Sequence, residues 1–158
     1  MNQQEAKSYV AISVALACAD IATKYFISHI ISKPRFIPGV FGLTDHKNFG
    51  LVADLGVPKI LILFFTGLLI LGMLYVLFVK SQKLSRLQGI ALCLIIGGAL
   101  GNFTDRLIHG FVYDWILLFE TSIINLADIL IAVGMGLLIL DSLRKKKQIA
   151  VDTPQDQA

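Results

Sequence analysis

The sequence predicts an all-α membrane protein with four transmembrane helices and a small β-rich extracytoplasmic region between helices 1 and 2. Apolar residues make up 56% of the 158 residues and charged residues only 16%, whereas a soluble domain carries about 25% charged residues. The mean hydropathy of +0.74 agrees with this composition. Four separate apolar stretches are long enough to cross a bilayer, which argues against a water-soluble globular domain.

Each stretch has about the 20 residues that a helix needs to cross a hydrocarbon core of roughly 30 Å. The predicted spans cover residues 10–31, 58–79, 87–106 and 123–143. We expect residues 1–149 to form a single integral-membrane domain. Residues 150–158 are polar and are expected to form a disordered cytoplasmic tail.

Residues 32–57, between the first two spans, contain two prolines and four glycines that interrupt any helix. Within this segment, Phe36-Ile37 and Val40-Phe41 predict short strands or an apolar patch at the membrane interface. The later links contain many basic residues: Lys80, Lys83 and Arg86 separate spans 2 and 3, and residues 144–147 follow span 4. Since Lys and Arg are enriched in short cytoplasmic loops, both termini are expected in the cytoplasm and the β-rich segment outside.

Polar residues within the spans predict one site near the outer boundary of the membrane. They occur at i, i+3 and i+4 spacing, which places them on one face of each helix. By helical rise, Lys24, Asn102 and Asp128 each lie roughly 7–11 Å below the outer boundary, and Asp114 in the last outer link can reach the same level. The polar positions are Asp20, Thr23 and Lys24 in span 1, Asn102, Asp105 and Arg106 at the end of span 3, and Asn125 and Asp128 in span 4.

Charge pairing separates these residues into two groups. Asp20 is expected to pair with Lys24, and Asp105 with Arg106, which leaves Asp114 and Asp128 without a basic neighbour in sequence. Two close, partly desolvated carboxyl groups cannot both ionise, so one keeps a proton. Such a dyad can activate water for attack on an amide carbonyl. An ion path or a buried polar network remains an alternative from the spacing alone.

The order of short motifs along the chain resembles the lipoprotein signal peptidases (signal peptidase II). The resemblance covers nearly the whole chain and rests on five blocks: Asp20-Ile-Ala-Thr23-Lys24, Asn48-Phe-Gly50, Gly101-Asn102-Phe-Thr-Asp105-Arg106, Val112-Tyr-Asp114-Trp115 and Asn125-Leu-Ala-Asp128. It implies a membrane aspartic endopeptidase that cleaves the signal peptide from diacylglyceryl-modified prolipoproteins just before the lipidated cysteine. The alternative is a non-catalytic relative that binds lipidated peptides.

The resemblance also implies roles for individual residues. Asp114 and Asp128 would be the catalytic pair. The positions that would bind substrate or support the site are Asp20, Lys24, Asn48, Gly50, Gly101, Asn102, Asp105, Arg106 and Asn125. The implied location is the bacterial cytoplasmic (inner) membrane, with the active site at its outer face. No cofactor and no metal are expected, and neither is a nucleic-acid partner, so the partners are prolipoproteins and membrane lipid around a monomer.

Some positions depart from the family pattern. Leu51-Val52-Ala53 follow Gly50 where Ala-Ala-Phe or a similar run is usual, and the bulkier residues would narrow a substrate cleft. Tyr113 and Trp115 flank Asp114, and Ile129 follows Asp128 where serine is preferred. Only ten residues separate Asp114 from Asn125, a short link for a segment that is expected to cover the site.

Overall fold

The computed structural model describes residues 1–30, 35–37, 40–50 and 56–152. Four long helices dominate it, and all four are long and apolar enough to cross a membrane. Together with a small antiparallel sheet they confirm the predicted fold class. The helices are α1 (Gln3–Ile30), α2 (Lys59–Val79), α3 (Arg86–Ile108) and α4 (Leu126–Asp152). Helix α4 thus continues into the predicted polar tail, of which residues 153–158 lie outside the described residues.

Helix α3 lies at the centre of the bundle because small residues let its neighbours approach closely. A side chain at Gly97 would meet the Cβ of Leu16 on α1 at 2.9 Å. A side chain at Gly98 would collide with the carbonyl oxygen of Ala127 on α4. The outward faces are apolar, as Phe64, Leu69 and many other exposed residues of α2 illustrate. Such faces are suited to contact with lipid rather than water.

The sheet is larger than the sequence predicted. Its four strands run in the order β1 (Arg35–Ile37), β2 (Phe41–Asn48), β3 (Val112–Leu118) and β4 (Ser122–Ile124), all antiparallel. The first two lie in the segment expected to be β-rich, whereas β3 and β4 come from the link between α3 and α4. Span 4, predicted to start at residue 123, therefore starts later, because β4 occupies residues 122–124.

Strand pairing brings the link after α3 against the segment after α1. His46 lies opposite Asp114, and Asn48 lies opposite Val112. Asp114 is thereby fixed on a strand rather than on a mobile link. We call the end of the bundle that carries this sheet the sheet end.

The opposite end is held together by contacts between helix termini. The side-chain amide of Gln3 donates to the carbonyl of Phe78 at 2.9 Å. Ser85 caps the start of α3, and its hydroxyl also donates to Asp141 of α4 at 3.1 Å. These contacts gather the start of α1, the α2–α3 link and the last part of α4 at one end of the molecule.

Candidate active site

Two carboxyl groups from different elements lie on either side of Asn125 at the sheet end. Asp114 comes from β3 and Asp128 from the first turn of α4. The side-chain amide of Asn125 donates to Asp114 at 2.5 Å. Asn125 and Asp128 also exchange reciprocal bonds, since the backbone N–H of each is bonded to the side chain of the other, at 3.2 and 3.0 Å. This is a capping arrangement at the start of α4, and it sets the position of Asp128.

Two further asparagines donate hydrogen bonds to the remaining carboxylate oxygens of Asp114 and Asp128. Asn48 of β2 donates its amide to Asp114 at 3.0 Å. Asn102 of α3 donates to Asp128 at 2.9 Å, and its carbonyl oxygen accepts from Asn125 at 3.2 Å. Every side-chain oxygen of the two aspartates thus accepts a hydrogen bond from a neutral amide.

Asp114 is the more deeply buried of the two, with only 1% of its surface exposed. This burial raises the pKa of Asp114 above its ordinary value. The amides of Asn48 and Asn125 act in the opposite direction by stabilising the ionised form, whereas the charge of Asp128 raises the pKa further. The net direction favours a proton on Asp114.

Lys24 is the centre of a buried ion-pair cluster behind these residues. Its ammonium lies 2.6 Å from Asp20 and 2.7 Å from Asp105, and it donates to the carbonyl oxygen of Asn102 at 2.9 Å. The predicted Asp20–Lys24 pair is confirmed. The predicted Asp105–Arg106 pair is wrong, because consecutive side chains on a helix point in different directions and Asp105 points toward α1.

Asp20 connects α1 to the start of α4. One of its oxygens accepts the backbone N–H of Ala127 at 2.9 Å, and the other faces Lys24. Gly101 lies so close to Asp20 that any side chain there would collide with the carboxylate. These contacts fix the first turn of α4, where Asp128 lies.

Arg106 points away from the ion-pair cluster, toward β2 and the segment that follows it. Its guanidinium donates to the backbone carbonyl of Gly50 at 2.7 Å and to that of Asn102 at 3.5 Å. The N–H of Gly50 in turn donates to the side chain of Asn48 at 3.0 Å. The residues after Gly50 that were expected to narrow the cleft, 51–53, lie outside the described residues.

The aspartates open into a cavity of about 310 Å³. Near them it is polar, and it continues along an apolar surface of α4 formed by Ile131, Ala132 and Met135, with Ile123 from β4. Sequence reasoning did not identify these apolar positions. Their spacing from Asp128 (i+3, i+4 and i+7) places them on the same helix face and could have revealed them. Among the described residues, no group of three His, Cys, Asp or Glu side chains could hold a metal ion.

Comparison with known proteins identifies the family. The model of the family described as signal peptidase (SPase) II matches residues 12–144. The chain belongs to the signal peptidase II family. It is 34% identical to the lipoprotein signal peptidase of Pasteurella multocida over 89% of this chain and 92% of that protein. It is likewise 34% identical to the lipoprotein signal peptidase of Actinobacillus succinogenes, over 95% of this chain and 98% of that protein.

A solved structure supports the same conclusion. A bacterial membrane enzyme superposes with a TM-score of 0.81 at 25% identity, over 96% of this chain and 94% of that one. Membership in the signal peptidase II family confirms the predicted family and the predicted class of enzyme, an aspartic endopeptidase. The chain is a multi-pass protein of bacterial membranes.

Proposed function

We propose that this signal peptidase II removes the signal peptide from diacylglyceryl-modified prolipoproteins, cleaving just before the lipidated cysteine with Asp114 and Asp128 as the catalytic pair. The observation that carries the proposal is the arrangement of the two carboxyl groups around Asn125, at the polar end of a cavity that is otherwise apolar. The names of the relatives support prolipoproteins as substrates.

We propose different roles for the two aspartates from the arrangement of their hydrogen-bond donors. Asp128 lies in the first turn of α4, where the helix dipole and the N–H of Asn125 favour a negative charge. We therefore assign the ionised form to Asp128 and the shared proton to Asp114, whose pKa is raised chiefly by burial.

The reaction follows from this assignment. Asp128 takes a proton from water as the water oxygen attacks the amide carbonyl, and Asp114 donates its proton to the carbonyl oxygen. Asp128 then protonates the leaving nitrogen while Asp114 recovers its proton as the carbonyl re-forms and the C–N bond breaks. The products are the carboxylic acid of the signal peptide, which loses its proton to solvent, and a free amine on the lipidated cysteine.

The shape of the cavity fits a substrate that is anchored in lipid. Ile131, Ala132 and Met135 continue the site along α4, away from the sheet end and into the membrane-spanning part of the bundle. Apolar chains gain free energy by leaving water or by packing closely against such a surface. Arg106 donates to the backbone carbonyls of Gly50 and Asn102, and we propose that it fixes the position of Gly50, whose N–H bonds to Asn48 beside the dyad.

We further propose that the sheet end faces outward from the bacterial inner membrane and that both termini are cytoplasmic. The basic residues Lys80, Lys83 and Arg86, together with residues 144–147, belong to the end of the bundle opposite the sheet. This is the distribution expected of a cytoplasmic side. We also propose that the enzyme acts as a monomer, since one chain supplies both aspartates.

The test uses the full chain purified in detergent and a diacylglyceryl-modified prolipoprotein, with cleavage followed by gel shift. Cleavage should require the lipid on the substrate and should be lost in Asp114→Asn and in Asp128→Asn. Asp141→Asn is the matched control, because it removes a buried aspartate at the opposite end of α4 and should retain activity. If either dyad variant cleaves at the wild-type rate, the assignment is wrong. If the folded wild-type protein binds the lipidated substrate without cleaving it, the non-catalytic alternative is correct.

A further inference from the structure

A second cavity, of about 500 Å³, lies next to the buried ion-pair cluster. It is bounded by the ends of α1 and α3 and by strands β2 and β3. Lys24 and Asp105 line this cavity and not the catalytic one, whereas Asn102 and Arg106 line only the catalytic one. The ion pair therefore separates two distinct cavities, and the reaction proposed above leaves the second without a role. We call it the lateral cavity.

Two opposite charges line the lateral cavity without neutralising each other. Asp45 and Lys47 are two residues apart on β2, are both exposed, and both line the cavity. Neither forms an ion pair within the part of the chain that the structure describes. The Lys47 ammonium lies 5.1 Å from the ring centroid of Phe111. Residues at this spacing on a strand are about 6.6–6.8 Å apart, so the cavity presents a separated positive and negative charge.

A buried hydroxyl in the wall of the cavity lies beside Asp45. Tyr113 is only 9% exposed, and its hydroxyl lies against the carboxylate of Asp45. Burial raises the pKa of Tyr113 to about 12, together with the negative charge of Asp45 and the hydrogen bond between Asp45 and the Tyr113 hydroxyl. The hydroxyl therefore stays neutral and can accept or donate a hydrogen bond. With its proton directed to Asp45, the hydroxyl oxygen can still accept a hydrogen bond from a donor in the cavity.

The position of the cavity indicates where its ligand comes from. The last turns of α1 and α3 bear large exposed apolar and aromatic side chains, including Tyr25 at 61% and Ile108 at 68% exposure. Tyr25 also lines the cavity. Aromatic side chains at helix ends are typical of the boundary between the lipid and water. The lateral cavity thus opens where phospholipid head groups lie.

We propose that the lateral cavity binds the head group of a zwitterionic phospholipid, with its phosphodiester beside Lys47 and its primary ammonium beside Asp45 and Tyr113. The acyl chains would extend along Tyr25 into the membrane. A purely anionic head group would satisfy Lys47 but would be repelled by Asp45. A primary ammonium supplies N–H donors for both the carboxylate of Asp45 and the hydroxyl oxygen of Tyr113.

The test measures lipid retention by native mass spectrometry of the full chain, with phosphatidylethanolamine or phosphatidylglycerol of the same acyl chains. The wild type should retain phosphatidylethanolamine preferentially. Asp45→Asn should weaken phosphatidylethanolamine binding about tenfold, as expected for a lost charge-assisted bond, and should strengthen phosphatidylglycerol binding. Lys47→Gln should weaken both lipids. The matched control is Glu5→Gln/Arg86→Gln, which removes an exposed pair of opposite charges at the other end of the molecule and should change neither.

Three outcomes would overturn the proposal. The first is equal retention of the two lipids by the wild type, and the second is weaker binding of both lipids in Asp45→Asn. The third concerns the source of the head group: glycerophosphoethanolamine, which lacks acyl chains, should not displace the lipid at equal concentration. Displacement would mean that the cavity binds a soluble zwitterion instead. Asp45 and Lys47 are exposed, and unchanged thermal unfolding of each variant will establish that folding is intact.

Discussion

Replacing Lys24 by methionine is expected to cost about 3–5 kcal/mol of stability, because the change leaves buried carboxylates without a counter-charge. Lys24 is 4% exposed and lies within 2.7 Å of both Asp20 and Asp105. Methionine keeps most of the side-chain volume, so little stability is lost through changed packing. The loss therefore reports on charge compensation rather than on a cavity.

A second variant separates the ion pairs from the packing. In Lys24→Met/Asp20→Asn/Asp105→Asn all three charges are removed together, and the asparagine oxygen at position 20 can still accept the N–H of Ala127. Replacing a whole buried ionic cluster by neutral groups is often close to neutral in stability. We expect this triple variant to recover most of the loss, to within about 1–2 kcal/mol of the wild type.

The assay is the free energy of unfolding in detergent micelles, from denaturant titration of wild type, single and triple variants. Lys145→Met is the control, because Lys145 is an exposed lysine paired with Asp141 at the other end, and water screens such a pair. It should therefore cost much less than Lys24→Met. The reasoning is refuted if Lys24→Met costs less than about 1 kcal/mol, or if the triple variant is less stable than the single one.

Three further predictions concern the dyad, the helix contact and the apolar part of the cavity. Asn48→Ala removes a donor that lowers the pKa of Asp114, so Asp114 should keep its proton to higher pH. The pH at which kcat/KM falls on the alkaline side should therefore rise, and an unchanged pH profile would contradict this. Gly98→Ala should reduce thermal stability because its methyl group would collide with a carbonyl of α4, whereas Gly72→Ala, with open space around it, should not. Ala132→Trp should lower kcat/KM by about tenfold or more by filling the apolar part of the cavity, and unchanged kinetics would place the substrate elsewhere.

The sequence predicts well both the helices and the depth at which the polar residues of the site lie, because both depend on local patterns. Hydropathy over 20 residues defines a span, and helical spacing puts Asp20 and Lys24 on one face. Prediction from the sequence fails where a contact is set by packing between distant segments. The Asp105–Lys24 pair depends on how α3 lies against α1, and β3 depends on pairing with β2 across more than 60 residues. Val112–Leu118 does not alternate between polar and apolar residues, so nothing local distinguishes it from an ordinary link.

The direct contacts of Asp114 and Asp128 explain how the proposed catalytic pair can keep a proton among so many charged groups. Within the described residues, Asp114 and Asp128 form no ion pair and accept hydrogen bonds from neutral amides and a backbone N–H. Lys24 contacts Asp20 and Asp105 instead. Arg106 lines the same cavity as the two aspartates, but its hydrogen bonds go to the backbone carbonyls of Gly50 and Asn102. A lysine or arginine in direct contact would hold both carboxyl groups ionised and leave no acid to protonate the carbonyl oxygen. Neutral amides fix the geometry of the dyad and leave it able to share one proton. The ion pairs of Lys24 stabilise the fold, whereas the asparagines hold the two aspartates in position for the proposed reaction.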